Sequence, residues 1–227
     1  MLPEPQAHHA VRVLRLKAGD TVALFNGDGA EYSATITQAS RDRLALDVTA
    51  RGAVDRESPL HVTLAQAVSS GERMDYTVQK AVELGAAVIQ PITAERSVVR
   101  LQGERATRRI RHWQSVVAAS CEQCGRNRLP EVLPLVALES FLAGPVRKGD
   151  GLRLMLSPHS ARSLRALDRP LAPIVLLAGA EGGFSPEEER AAEHVGFLPV
   201  RLGPRVLRTE TAAAAALAAM QAWWGDF

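Results

Sequence analysis

The 227 residues suffice for one or two domains with a substantial core, and 46% hydrophobic with 23% charged is an ordinary globular composition. Twenty-seven basic residues against 25 acidic ones leave a net charge of +2, which excludes a histone-like polycation. No apolar run approaches the ~20 residues of a membrane span, no signal peptide is expected, and two cysteines fit a reducing compartment better than a disulfide framework; a cytoplasmic protein is expected.

His9 to Leu16 alternates apolar Val11, Leu14 and Leu16 with Arg12 and Arg15 and predicts a short amphipathic turn, broken at Lys17-Ala18-Gly19-Asp20. Thr21 to Phe25 predicts a strand, and Asn26-Gly27-Asp28-Gly29 a hairpin turn. Tyr32, Ala34 and Ile36, then Leu44, Leu46 and Val48, alternate with polar neighbours. Three strands without a long helix predict a small, barrel-like β domain, and the polar stretch Gly52 to Pro59 a linker.

From Leu60 the rhythm changes. Leu60 to Val68 predicts a strand; Met74, Val78, Ala81 and Val82 predict a helix with Gly85 just past its end. Ala86 to Ile92 returns to strand. Gly103 to Cys124 predicts a long helix with Ile110, Trp113, Val117, Cys121 and Cys124 on one face. Leu152 to Leu156 and Ile174 to Ala178 predict further strands, so a largely parallel, helix-flanked sheet is expected.

The last quarter is the densest in signals. Two apolar runs each end in a glycine turn, Gly179-Ala180-Glu181-Gly182-Gly183 and Leu202-Gly203-Pro204. The first is followed by Ser185 as N-cap, Pro186 at the first helical position and Glu187, Glu188 and Glu189 in the opening turn. The second is followed by Thr209-Glu210-Thr211 opening an alanine-rich helix. Strand, glycine turn and helix twice over predicts a ligand crevice at strand C-termini.

The first turn lacks the lysine of a phosphate-binding loop and does not match G-x-G-x-x-G. Glu181 would repel phosphate but suits a ribose hydroxyl or a cation, and S-adenosylmethionine offers both. For a lone Gly-Gly a plain tight turn capping a helix is the better reading, and a second such turn in the same crevice shifts the balance toward a ligand. Arg205 and Arg208 stand at the crevice mouth, able to stabilise negative charge on a base, or simply a surface pair with Glu210 neutralising Arg208. Cys121 and Cys124 have zinc half-site spacing without a second pair, so core packing is the better reading and no metal is expected. Trp223 and Trp224 close a helix whose small residues allow close packing in the core or between subunits. Eight arginines between Arg96 and Arg128 face only Glu104 and Glu122. Such a patch suits a phosphate backbone, although 24 of the 27 basic residues are arginine and compositional bias explains it equally.

AGAEGGFS and LGPRVLRTETA, together with HHAVRVLRL, ESPLHVTLAQ, GERMDYTVQKAVELG, ERSVV and CEQCGRNRLPE in the same order, resemble the RsmE type of SPOUT-class methyltransferases across nearly the whole chain. Two departures are Ala180, where that family usually has proline, and a shorter segment before the block at His8 to Leu16. The resemblance implies an α/β fold: a SPOUT-type parallel sheet with a C-terminal trefoil knot over residues 58–227, preceded by a PUA-like, RNA-binding β-barrel domain over residues 1–57. It implies S-adenosylmethionine-dependent methylation of a uridine N3 in 16S ribosomal RNA by a cytoplasmic homodimer. A methyltransferase for another RNA and a non-catalytic assembly factor of the small ribosomal subunit are the alternatives.

By the same resemblance the cofactor contacts are Leu156, Ser157, Leu177, Gly179, Glu181, Gly182, Gly183, Leu202, Gly203, Val206, Leu207 and Thr211. Arg208 is the expected catalytic residue, held by Glu210. Arg12, Arg15, Arg73, Lys80, Arg96, Arg126 and Asn127 are the RNA-contact candidates.

Overall fold

The computed structural model describes residues 1–2, 4–40, 43–144 and 151–227. It divides into two compact units, Met1–Arg56 with Gly125–Arg128, and Glu57–Cys124 with Leu129–Phe227. The four residues 125–128 fall in the first unit, although a linear division at 57/58 assigns them to the second.

The first unit holds helix α1 (Glu4–Arg12) and strands β1 (Thr21–Leu24), β2 (Glu31–Ala39) and β3 (Leu44–Gly52). The strands pair antiparallel in the order β1-β2-β3. Among the described residues β1 and β3 do not pair, so the expected barrel takes the form of an open three-stranded sheet. Ala7 and Ala10 of α1 pack with Ile36 and Leu44, which leaves Val48, farther along β3, 59% exposed despite its place in the alternation. The amphipathic turn expected from His9 is the end of α1. Arg15 adopts φ 57°, and the Leu16 amide reaches back to the Ala10 carbonyl at 3.0 Å, a left-handed closure that satisfies a terminal carbonyl. In the β1–β2 turn, Asn26 Oδ1 accepts from the Asp28 amide and Asp28 Oδ1 from the Ala30 amide, at 3.0 and 2.8 Å.

The second unit is built on a sheet ordered β10-β8-β9-β4-β5-β6, with β7 also on β5 and every pair parallel. Its strands are β4 (Val62–Ala67), β5 (Val88–Thr93), β6 (Glu131–Val132), β7 (Val136–Ala137), β8 (Leu152–Leu156), β9 (Ile174–Ala178) and β10 (Leu198–Val200). Both faces of such a sheet are covered, so its strands are apolar nearly throughout. One face carries Ala65, Ala67, Met155 and Leu177 against Leu138 of α4 (Leu138–Ala143) and Ala192 of α5 (Pro186–His194). Across the sheet lie α2 (Glu72–Glu83), α3 (Gly103–Cys124) and α6 (Thr209–Trp224), with α2 against both others. Met74, Val78, Ala81 and Val82 of α2 are buried, as are Trp113, Val117 and Cys121 of α3 and Ala213, Ala216, Leu217 and Trp224 of α6. Cys121 is thus a core residue, and among the described residues no group of side chains could hold a metal.

The elements β6, β7 and α4 and a single 3-10 turn at Leu164–Ala166 are absent from the sequence reading because two- to six-residue elements show no periodicity. No helix of the described residues is long and apolar enough to cross a membrane.

Candidate active site

Strands β8, β9 and β10 lie on one side of β4 and end at Leu156, Ala178 and Val200. The loops that follow converge on an open cleft of about 840 Å³, within the size range of small-molecule sites. Its position is where a parallel sheet usually binds ligands, beyond the strand C-termini.

The first loop, Gly179 to Phe184, is held from three directions. Ser185 caps α5 by accepting from the Glu188 amide at 3.3 Å, while Glu188 accepts from the Ser185 amide at 2.9 Å, a reciprocal capping box. Arg96 donates to the Gly182 and Phe184 carbonyls at 3.4 and 3.2 Å. Glu181 Oε1 accepts from the Ser70 amide, the Ser70 hydroxyl and Arg73 Nη1 at 2.9, 2.8 and 2.8 Å. Burial pushes the Glu181 carboxyl up, but the Ser70 and Glu181 amides, Arg73 and the Ser70 hydroxyl outweigh it and hold the group at about 2. Oε1 is therefore engaged within the protein, tying the glycine loop to the turn before α2. The glycines have distinct reasons. Gly183 has φ 66°, a conformation open to glycine at little cost. A Cβ on Gly182 would lie 2.8 Å from Arg96 Cβ, whereas one on Gly203 would meet nothing within 4 Å.

The second loop joins the first through Gln66, a fully buried amide at the end of apolar β4. Its Nε2 donates to the Ala67 and Gly179 carbonyls and to Thr209 Oγ1 at 3.0, 3.1 and 3.1 Å. Thr209 Oγ1 donates in turn to the Gly179 carbonyl at 2.6 Å, so the start of α6 is clamped beneath the glycine loop. Arg208 is the exposed N-cap residue of α6 and Glu210 lies in its first turn; both line the cleft. The expected Arg208–Glu210 pair does not form. Glu210 Oε2 is buried without a hydrogen-bond partner, and no ion pair joins the two side chains among the described residues.

Of the expected cofactor contacts, Leu156, Ser157, Gly179, Glu181, Gly182, Gly183, Leu202, Gly203, Val206 and Leu207 line the cleft. Leu177 and Thr211 do not. Leu177 is a core residue of β9 packed toward α4 and α5, because alternate residues of a strand face opposite sides. Thr211 is exposed on α6, outside the lining.

The expected RNA contacts separate similarly. Arg73 and Arg96 line the cleft but brace its loop, and Lys80 pairs with Glu83 at 2.7 Å. Arg12 and Arg15 are exposed in the first unit. Arg126 and Asn127 are only 5% and 1% exposed, and Asn127 Nδ2 donates to the Val54 carbonyl. Both are thus largely buried, unlike Arg12 and Arg15. Sequence reading missed Gln66, Ser70 and the lining residues His159, Arg201 and Glu189. Of these Gln66 alone carried a signal, an amide inside an otherwise apolar strand.

The family model described as an RNA methyltransferase domain matches residues 56–221, and that of an RNA methyltransferase PUA domain matches residues 2–49. The ribosomal RNA small subunit methyltransferase E of Buchnera aphidicola is 31% identical over 226 residues, covering all of this chain and 88% of that protein. Its counterpart in Bacillus subtilis is also 31% identical, covering 95% of this chain and 86% of its own length. Among solved structures, the enzyme of the same name from Neisseria gonorrhoeae, bound to S-adenosyl methionine, is 41% identical with a TM-score of 0.92, covering 100% of this chain and 92% of that one. A Legionella pneumophila methyltransferase in complex with SAM is 40% identical with a TM-score of 0.93 and the same coverage. With the two family models matching residues 2–49 and 56–221 and a relative 31% identical over the whole of this chain, the chain belongs to the ribosomal RNA small subunit methyltransferase E family.

Proposed function

We propose that the cleft binds S-adenosylmethionine and that the protein methylates N3 of a uridine in 16S ribosomal RNA. The residues present suit that cofactor. Apolar Leu156, Val200 and Leu202 and the backbone of two glycine loops line the space, Gly203 leaves it open, and no phosphate-binding lysine lines it. When bound, the cofactor supplies an electrophilic methyl group and departs as a neutral thioether.

The observation that carries the chemistry is Glu210, a cleft-lining carboxylate with a buried, unpartnered oxygen. Uracil N3–H must lose its proton for nitrogen to take a methyl group. In this reading Glu210 receives that proton. Arg208, exposed beside it, favours the developing anion. Arg201 and Arg205 are also exposed in the lining and face the RNA. The same reading includes a homodimer in the cytoplasm and a C-terminal segment threaded as a knot, consistent with α6 entering beneath the Gly179 loop.

Tritiated-methyl transfer to unmodified small subunits, with the product base mapped by mass spectrometry, tests the assignment. Glu210→Gln should lower transfer by about 10²–10⁴-fold, the usual contribution of a general base, while calorimetric cofactor affinity stays near wild type. Tight RNA binding by the wild-type protein without methyl transfer would instead identify an assembly factor.

A further inference from the structure

We propose that the exposed arginine face on the first half of α3 is a second docking surface, for the phosphate backbone of the RNA whose uridine enters the cleft. The proposal rests on the RNA methyltransferase reading above. Arg105, Arg108 and Arg111 are exposed and Arg109 is half-buried beside them, and Arg100 just before the helix is exposed too. Residues three and four apart are neighbours on a helix, so Arg105 stands beside Arg108 and Arg109, and Arg108 beside Arg111. Glu104 is the only acidic residue between Arg96 and Cys121. None of the five arginines makes a side-chain hydrogen bond or ion pair among the described residues. Trp113, Val117 and Cys121 anchor the helix in the core, so the arginines are held together on a fixed surface with Glu104 alone of opposite sign on that stretch of helix. Arg105 to Arg111 spans about 9 Å at 1.5 Å per residue, longer than one phosphate, and the matching partner is a polyanion.

The helix that carries the face is tied to the cleft through α2. Arg73, which lines the cleft, lies in the first turn of α2. Two residues on, Asp75 accepts from Trp113 Nε1 at 3.0 Å and pairs with His112 Nε2 at 2.7 Å. His112, next to Arg111 in the chain, is thus bonded to the helix whose first turn borders the cleft, and in the proposed arrangement one RNA strand occupies both.

The test is the salt dependence of binding to transcribed small-subunit ribosomal RNA between about 50 and about 200 mM salt. The slope of log K against log salt should become shallower by about 2–3 in R105Q/R108Q/R109Q, at roughly 0.7–0.9 for each phosphate no longer neutralised. S-adenosylmethionine affinity and helical circular dichroism should stay unchanged, and R105K/R108K/R109K should keep the wild-type slope. Should the triple glutamine variant lose helicity, the single changes R105Q and R109Q each read about 0.7–0.9 instead. A wild-type slope in the glutamine variants, or a lysine variant as weak as the glutamine one, overturns the proposal. A slope change in the glutamine variants, with no methyl transfer by the wild-type protein, would sink the enzymatic reading and leave this surface standing.

Discussion

Glu181→Gln separates the charge of the loop clamp from its shape. The carboxylate accepts from Ser70 twice and from Arg73 once through Oε1, and lies at about 2 instead of 4.5. At 1.36 kcal/mol per pH unit that difference corresponds to roughly 3 kcal/mol. With 25% of the Glu181 side chain and 40% of Arg73 exposed, solvent screening reduces it to about 1–2 kcal/mol. A depressed carboxyl stabilises the fold in full above its unfolded value and loses that contribution as pH falls through its folded value. The increment is therefore complete at pH 7 and fades from about 4.5 down to about 2. The variant should melt roughly 2–8 °C lower than wild type at pH 7, with a gap less than half as large at about pH 3. Scanning calorimetry of both proteins across that range reads the effect. Titration with S-adenosylmethionine at pH 7 should show weaker binding in the variant, whose glycine loop has lost one tether. Equal melting temperatures at pH 7, or an undiminished gap at pH 3, refutes the electrostatic account of the clamp.

Other substitutions probe the loops separately. Gly203→Val adds a side chain where nothing lies within 4 Å, so thermal stability should stay near wild type while calorimetric cofactor affinity falls at least tenfold. Gly182→Val drives its Cβ to 2.8 Å from Arg96 and should lower both affinity and melting temperature; a variant stable and binding normally would remove Gly182 from the site. Gln66→Leu keeps the volume but removes the donor shared by Ala67, Gly179 and Thr209. It should cost about 1–3 kcal/mol in denaturant unfolding and raise KM for the cofactor, and a variant with both values unchanged would show that the clamp does not shape the cleft.

Local chemistry explains what was legible in the sequence. The ends of α3, β8 and β9 follow from apolar periodicity and breakers within a few residues. The start of α5 follows from Ser185 and Pro186, whose capping role is settled within one turn. The two glycine turns marked the crevice because a strand leading through glycine into a helix is itself a local pattern. Pairings between segments distant in sequence were not legible. Gln66 meets Thr209 across 143 positions and Ser70 meets Glu181 across 111, and no spacing rule announces either. Arg73 and Arg96, expected to face RNA, are also tied to the glycine loop by such partners, and Leu177 is set in the core by strand register. Glu210, expected to neutralise its neighbour, keeps a buried oxygen unpaired. The sequence by itself determined the longer elements and the place of the crevice, because propensity, capping and turn chemistry act over a few residues. Only the tertiary structure decided which side chains are spent bracing the loops and which remain for a ligand, because a hydrogen-bond donor's partner depends on what folding brings within about 3 Å.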